Sequence, residues 1–348
     1  MKNKIGIFFI VLISASVNIR LQTTYYSPKP LAHHGGKTLT AYPFGYATIK
    51  KMTYQQIHGD FPSKILVISK LAWRPYKTCR AFNSFSATMT LTVSQDGPNP
   101  DNATNDFAKN LGKNPKIIFT NKTIYFPSYT PVPSPAPFIF EIPFGAPYIY
   151  KGKKVFCWEL RLHNHTNKSY IFFDLFSQRS TPEFYSGGVG CRASTGASPC
   201  SLDGSYGGGF VTFNGKYLPQ NKTVFLLFGV KNTMWQGIVL PFDLSPLGAP
   251  CALRESIENM FPGTSDQKGN VTWKFNFTGS LPSGAAGFFQ ILALDQNANS
   301  LGIVLSNGLC WLWPYKSRPV VRIWQRNDDK AKTGVLQTTF GLIIKVSL

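Results

Sequence analysis

The chain has 348 residues, 43% of them hydrophobic, and 36 Lys and Arg face 16 Asp and Glu, a formal charge of +20 at pH 7. That length supports two ordinary domains with sizeable cores, and 30 Gly with 25 Pro exclude a low-complexity chain. The bases are scattered, with no recognition-helix or RNP-like pattern, so nucleic acid is not the expected partner.

The first 16 residues read MKNKIGIFFIVLISAS. Lys2 and Lys4 precede an apolar run, Ile5 to Ile13, and Ser14-Ala15-Ser16 offers a small-residue cleavage site. This predicts a signal peptide over 1–16, with an apolar core too short to span a bilayer comfortably. A secreted or cell-surface location, extracellular or periplasmic, follows as an expectation. In that compartment the charge points to anionic polysaccharide, lipid headgroups or another envelope surface as partner.

Residues 17–37 form an N-terminal extension. From 38 to 178 several runs alternate with period two, the mark of half-buried strands. Phe85, Ala87, Met89, Leu91 and Val93 share one face, Phe138, Phe140, Ile142 and Phe144 another, and Phe156, Trp158, Leu160 and Leu162 a third. Lys64 to Leu71, Lys116 to Phe126 and Ser169 to Phe176 add strands. A short helix is expected near Ala103 to Leu111, capped by Asp101 or Asn102 and stopped by Gly112. Residues 179–190, polar and then Gly-rich, read as a linker. A second β region follows over 191–310. Its apolar run from Lys222 to Val230 suits a central strand, and Val271, Trp273, Phe275 and Phe277 alternate with polar residues. Residues 311–348 read as a basic strand–turn–strand extension. It is expected as a hairpin added to the second region, or as a strand offered to a neighbouring subunit. The predicted fold is all-β, with two tandem β-sandwich domains of jelly-roll or Ig-like type.

Six cysteines, Cys79, Cys157, Cys191, Cys200, Cys251 and Cys310, are an even count in a chain expected to be exported, and three disulfides are the natural reading. No CxxC pair points to zinc.

Three stretches, GVGC (Gly188–Cys191), FLLFGVKNTMWQGIVLPFDLSPLGAPC (Phe225–Cys251) and FFQILALDQNANSLGIVLSNGL (Phe288–Leu309), occur in order. Together they resemble the C-terminal module of secreted two-module β-sandwich proteins of planctomycete-type bacteria, an uncharacterised family. The preceding DGPNPDNATNDFAKNLGKNPKIIFTNKTIYFP and FIFEIPFGAPYIY are similar to its partner module, and the resemblance covers about residues 40–309. It implies no catalytic residues. It implies a Cys191–Cys251 bridge; the other four cysteines can pair in three ways, of which Cys79–Cys157 with Cys200–Cys310 is the expectation. The chain departs from the family in running on past SNGL and in its basicity.

Little else resembles chemistry. Asp295-x-Asn-x-Asn opens like a calcium loop, but its sixth position is Ser300 and its twelfth Ser306, where such a loop needs Gly and Glu. An Asx-rich turn is the expectation. His163 with His165, and His33 with His34, lack a neighbouring carboxylate or thiol. Glycoside hydrolysis needs two facing acids. Only Glu141, Glu159 and Asp174 lie in or beside predicted strands of the first region, with Glu159 and Arg161 expected in solvent. No GxSxG, HExxH or P-loop occurs. Trp235, Trp311 and Trp313 are the candidates for a glycan-stacking platform, against an ordinary role in packing. Sequons at Asn102, Asn121, Asn164, Asn167, Asn221, Asn270 and Asn276 would suit glycosylation of an exported protein, but an Asn- and Thr-rich chain also produces sequons by chance, and in a bacterial source most are expected bare. The resulting expectation is a structural or adhesive protein, not an enzyme, with no cofactor and no metal. The alternatives are a carbohydrate-binding module and, behind it, an envelope-associated glycoside hydrolase.

Overall fold

The alternating branched and aromatic runs fold almost entirely into strands in a computed structural model that describes residues 24–348. The expected signal peptide, and residues 17–23 of the extension, lie outside those residues. In chain order the first region supplies β1 (Thr24–Ser27), β2 (Thr38–Thr40), β3 (Met52–His58), β4 (Ile65–Trp73), β5 (Phe85–Ser94), β6 (Lys116–Phe126), β7 (Phe140–Lys151), β8 (Phe156–His165) and β9 (Phe173–Ser177). The second supplies β10 (Glu183–Gly187), β11 (Ser201–Gly207), β12 (Phe210–Lys216), β13 (Thr223–Gly229) and four two-residue strands, β14 (Met234–Trp235), β15 (Ile238–Val239), β16 (Phe242–Asp243) and β17 (Ala252–Leu253). It continues with β18 (Asn259–Thr264), β19 (Val271–Asn276), β20 (Ala286–Leu294), β21 (Ile303–Leu305) and β22 (Gly308–Leu312). The chain ends with β23 (Val320–Arg326), β24 (Val335–Gln337), β25 (Phe340–Leu342) and β26 (Ile344–Ser347). A short helix, α1 (Phe107–Leu111), is capped by the Asp106 side chain, which accepts from the Ala108 and Lys109 amides; the cap is therefore Asp106, not Asp101 or Asn102.

The first region builds a six-stranded sheet in the order β24-β23-β3-β8-β5-β6 and a four-stranded sheet in the order β1-β26-β4-β7. Their inward faces share one core, in which Trp73 of β4 stacks on Trp158 of β8 at 5.5 Å between centroids. A three-stranded sheet, β2-β9-β25, lies beside them. In the second region the sheet β10-β22-β20-β13-β18 faces β11-β12-β19, and Phe213 of β12 meets Phe289 of β20 at 4.2 Å. A smaller cluster, Leu31, Phe176, Tyr185, Phe288, Cys310, Leu312, Val320 and Ile343, joins the two regions.

Three expectations about organisation change. The last strands do not form an appendage or a free arm. β23 pairs with β3 and β24, β25 with β9, and β26 with both β1 and β4, all in sheets of the first region. Val320, Val321, Ile323, Ile344 and Val346 are fully buried, and such strands need neighbours on both edges and both faces. The residues read as a linker contain β10, which pairs with β22. The glycines there serve close approach: a Cβ on Gly187 would sit 2.3 Å from the His33 carbonyl oxygen. Glu159, expected in solvent, is buried. The outer face of β8 is covered by α1 and the returning chain, which bring Phe107, Leu111, Val321, Ile323 and Ala331 over Ile57 and Cys157. Among the described residues no helix is long and apolar enough to cross a membrane.

Candidate anion-binding surface

The residues singled out from the sequence are mostly structural. Trp235 and Trp311 are buried, and half-buried Trp313 packs on Trp311, Tyr206 and Phe277 within the second core. Burial leaves Trp235 and Trp311 little ring face to offer a sugar, and Trp313 is partly covered by its aromatic neighbours. Cys191 and Cys251 are bonded, their Cα atoms 5.2 Å apart, inside the range a disulfide spans. Cys79, Cys157, Cys200 and Cys310 are free buried thiols, so the expected second and third bridges do not form. The pleat sends Cys157 to the α1 side of its sheet while Cys79 lies in the opposite core, and Cys200 and Cys310 likewise sit in separate clusters. Burial pushes all four thiols up, Cys200 to about 12, away from reactive thiolate.

The Asp295 loop is a turn. Its carboxylate accepts from the Ser194 amide at 2.7 Å and hydroxyl at 2.8 Å, and Asn299 closes the turn by accepting from the Gly302 amide at 3.0 Å. Among the described residues no cluster of three or more His, Cys, Asp or Glu gathers as a metal site. His165 bonds the Ile49 carbonyl at 2.8 Å, whereas His163 does find a carboxylate, Asp329 at 2.7 Å, delivered by the returning chain.

The three candidate acids are each held by a cation. Glu141 meets Lys70 at 2.6 Å, Glu159 meets Arg161 at 2.7 Å, and Asp174 meets Arg74 at 2.7 Å. One grouping the sequence did not announce joins Ser27, His58 and Asp60. A serine nucleophile needs the imidazole between hydroxyl and carboxylate. Here the Ser27 hydroxyl stands in the middle, donating to Asp60 and 2.7 Å from His58 Nδ1. Trp158 Nε1–H donates to His58 Nε2 at 3.2 Å, so that nitrogen is an acceptor and the hydrogen-bond pattern assigns the proton to Nδ1. Burial lowers this histidine to about 3. With Nδ1 protonated the imidazole cannot take the serine proton, and Ser27 and His58 are fully buried.

Residues 30–36 bolt the two regions together. The Arg74 guanidinium donates to the carbonyls of Leu31 and Ala32, each at 3.1 Å, and to that of His34, while Asp174 receives the Gly36 amide at 2.8 Å. From the second region Glu255 meets His34 Nε2 at 3.1 Å, and Asn232 donates to the Pro30 carbonyl at 3.0 Å. His33 and Arg254 line a cleft of about 490 Å³ at this junction, with Asp243 as its carboxylate.

A group of exposed lysines lies at one end of the first region. Ile65 of β4 pairs with Lys151 of β7, and the turn after β7 folds back on Lys64. Gly152 has φ 76° there, and a Cβ on it would come within 2.9 Å of the Lys64 amide nitrogen. This close turn gathers Lys64, Lys151, Lys153 and Lys154, all exposed. Lys116 of β6, Lys151, Lys153 and Asp96 border an adjoining cleft of about 370 Å³. Asp96 is committed to Lys153 at 2.6 Å, and that bond, with a second from Asn114, holds its carboxyl below the usual range. The run KGKK carries the local signal. The partners of that run, Lys64 and Lys116, are separated from it in sequence, which is why the bases read as scattered.

No family model matches the chain, and no curated protein matches it. Solved structures that align with it include the β-glucuronidase of Ruminococcus gnavus in complex with D-glucaro 1,5-lactone, at 8% identity and a TM-score of 0.17, over 74% of this chain and 35% of that one. The same protein with uronic isofagomine aligns at 10% identity and 0.17, over 80% and 37%, and with D-glucuronic acid at 8% and 0.16, over 85% and 39%. The chain thus spans well under half the length of these proteins, and a likeness at such TM-scores carries no inference about fold or activity.

Proposed function

We propose that this is a non-catalytic exported protein of the cell surface or extracellular matrix, structural or adhesive, that attaches to a polyanionic envelope surface such as anionic polysaccharide. The two β regions are read as sandwich modules following an export signal, as in the secreted proteins the sequence resembles. One observation carries the reading. Residues 24–178 with 313–348 hold 25 Lys and Arg against 9 Asp and Glu, whereas residues 179–312 hold 8 against 7. The net positive charge thus lies almost entirely in the first region, +16 against +1. Its acids are largely committed to individual cations, leaving the lysine end to act outward. The Cys191–Cys251 bridge supports an oxidising compartment.

The test is retention of the protein on an immobilised sulfated polysaccharide and on a neutral one. The reading expects retention on the sulfated polymer alone, released by moderate salt, because exposed charges are screened within roughly 8 Å at physiological ionic strength. Equal retention on the neutral polymer, or retention indifferent to salt, would sink it.

A further inference from the structure

We propose that the lysine end of the first region is a docking face for an anionic lipid bilayer, which names the partner of the surface proposed above and rests on that reading. The second observation is apolar. On the outward face of β4 and β7, Ile65 is 70% exposed, Val67 49% and Ile149 57%, while their neighbours Leu66, Ile68, Tyr148 and Tyr150 turn inward to the core. Val67 stands directly opposite Ile149, and Ile65 opposite Lys151. Directly opposed side chains on one sheet face are within contact reach. Three branched aliphatic side chains therefore stand together in water, bordered by Lys64 and Lys151, with Lys153 and Lys154 in the adjoining turn.

The chemistry narrows what covers them. A second copy of the chain would bring two lysine rims together, which like-charge repulsion opposes. An anionic sugar polymer would engage the lysines alone and leave the three exposed aliphatic side chains in water. A bilayer carrying anionic headgroups satisfies both halves of the face. The aliphatic tips enter the boundary between headgroups and acyl chains, and the lysine ammonium groups stay at the phosphates. The cleft between Lys116 and Lys151, with Ile149 on its wall, gives one headgroup a place beside the inserted tips.

The experiment is co-sedimentation of the full chain with vesicles of phosphatidylcholine alone and of phosphatidylcholine with phosphatidylglycerol. Two variants accompany it: Ile65→Ser/Val67→Thr/Ile149→Thr, and Lys64→Gln/Lys151→Gln/Lys154→Gln. All six positions are exposed, and thermal unfolding checks that each variant keeps the parent's fold. The expected result is binding to the anionic vesicles only. The aliphatic variant should lose at least roughly tenfold in vesicle partitioning, since each buried CH₂ is worth about 0.8 kcal/mol, yet keep its retention on sulfated polysaccharide. The lysine variant should lose both. Polysaccharide retention without vesicle binding overturns the lipid inference and leaves the attachment reading standing; absence of both removes the two together. Equal vesicle binding by the aliphatic variant also overturns it, as does equally tight binding to polyglutamate.

Discussion

The two β regions solve the same folding problem by opposite means. The second is nearly contiguous in sequence, almost neutral, and cross-linked between Cys191 and Cys251. The first is strongly basic, has no disulfide, and is closed by both ends of the described chain: β1 and β26 pair side by side in its four-stranded sheet, and β23 fills its six-stranded one. Self-repulsion acts against a basic module. Here it is offset by returning strands and buried ion pairs, so the charge can be displayed at one end.

Removing residues 313–348 breaks the comparison most severely. β3, β4 and β9 lose direct partners, and their amides should exchange at unfolded rates while those of β13 and β20 stay protected. Persistent protection in β3 and β4 would show that the first region closes without its last strands. Next in size is the bolt at the junction. Arg74→Met leaves Asp174 buried without its cation, and breaking a buried pair in this way costs on the order of 3–5 kcal/mol. Denaturant unfolding should show that loss, with partial recovery in Arg74→Met/Asp174→Asn. A loss under about 1 kcal/mol, within the range of an exposed pair, would mean the clasp adds little.

Cys191→Ala/Cys251→Ala should lower the stability of the second region by about 4 kcal/mol, the loop-closure value for a separation of 60 residues. Retention on sulfated polysaccharide should be unaffected; loss of retention would place the binding surface in the wrong region. The smallest effect is a pH slope. His58 titrates at about 3 in the fold and near 6.5 when unfolded. Between those values the unfolded chain holds the extra proton, so this residue makes stability rise with pH. His58→Gln should remove up to about 1.4 kcal/mol per pH unit of that rise, readable from unfolding at pH 4 to 6.

The strands of this fold were legible because period-two alternation in Phe85–Val93, Phe140–Phe144 and Val271–Phe275 reports a half-buried face directly. What stayed hidden depends on partners far away in the chain. Glu159 sits at a polar position of its strand, and nothing local shows that α1 and β23 will cover it. The returning strands looked like an extension because pairing of Val321 with Ile57, or Val346 with Leu71, leaves no local mark. The cysteine count gave six thiols but not their faces. The lysine end failed for the same reason: KGKK is visible, but the register that sets Lys64 and the exposed Ile65, Val67 and Ile149 beside it is not.

Amine acetylation of the full chain, with and without sulfated polysaccharide, compares the two regions most directly, read residue by residue by mass spectrometry. The account predicts protection of Lys64, Lys116, Lys151 and Lys154, with Lys216, Lys222, Lys268 and Lys274 of the second region reacting as freely as before. Equal protection across both sets, or protection confined to the second, would contradict it.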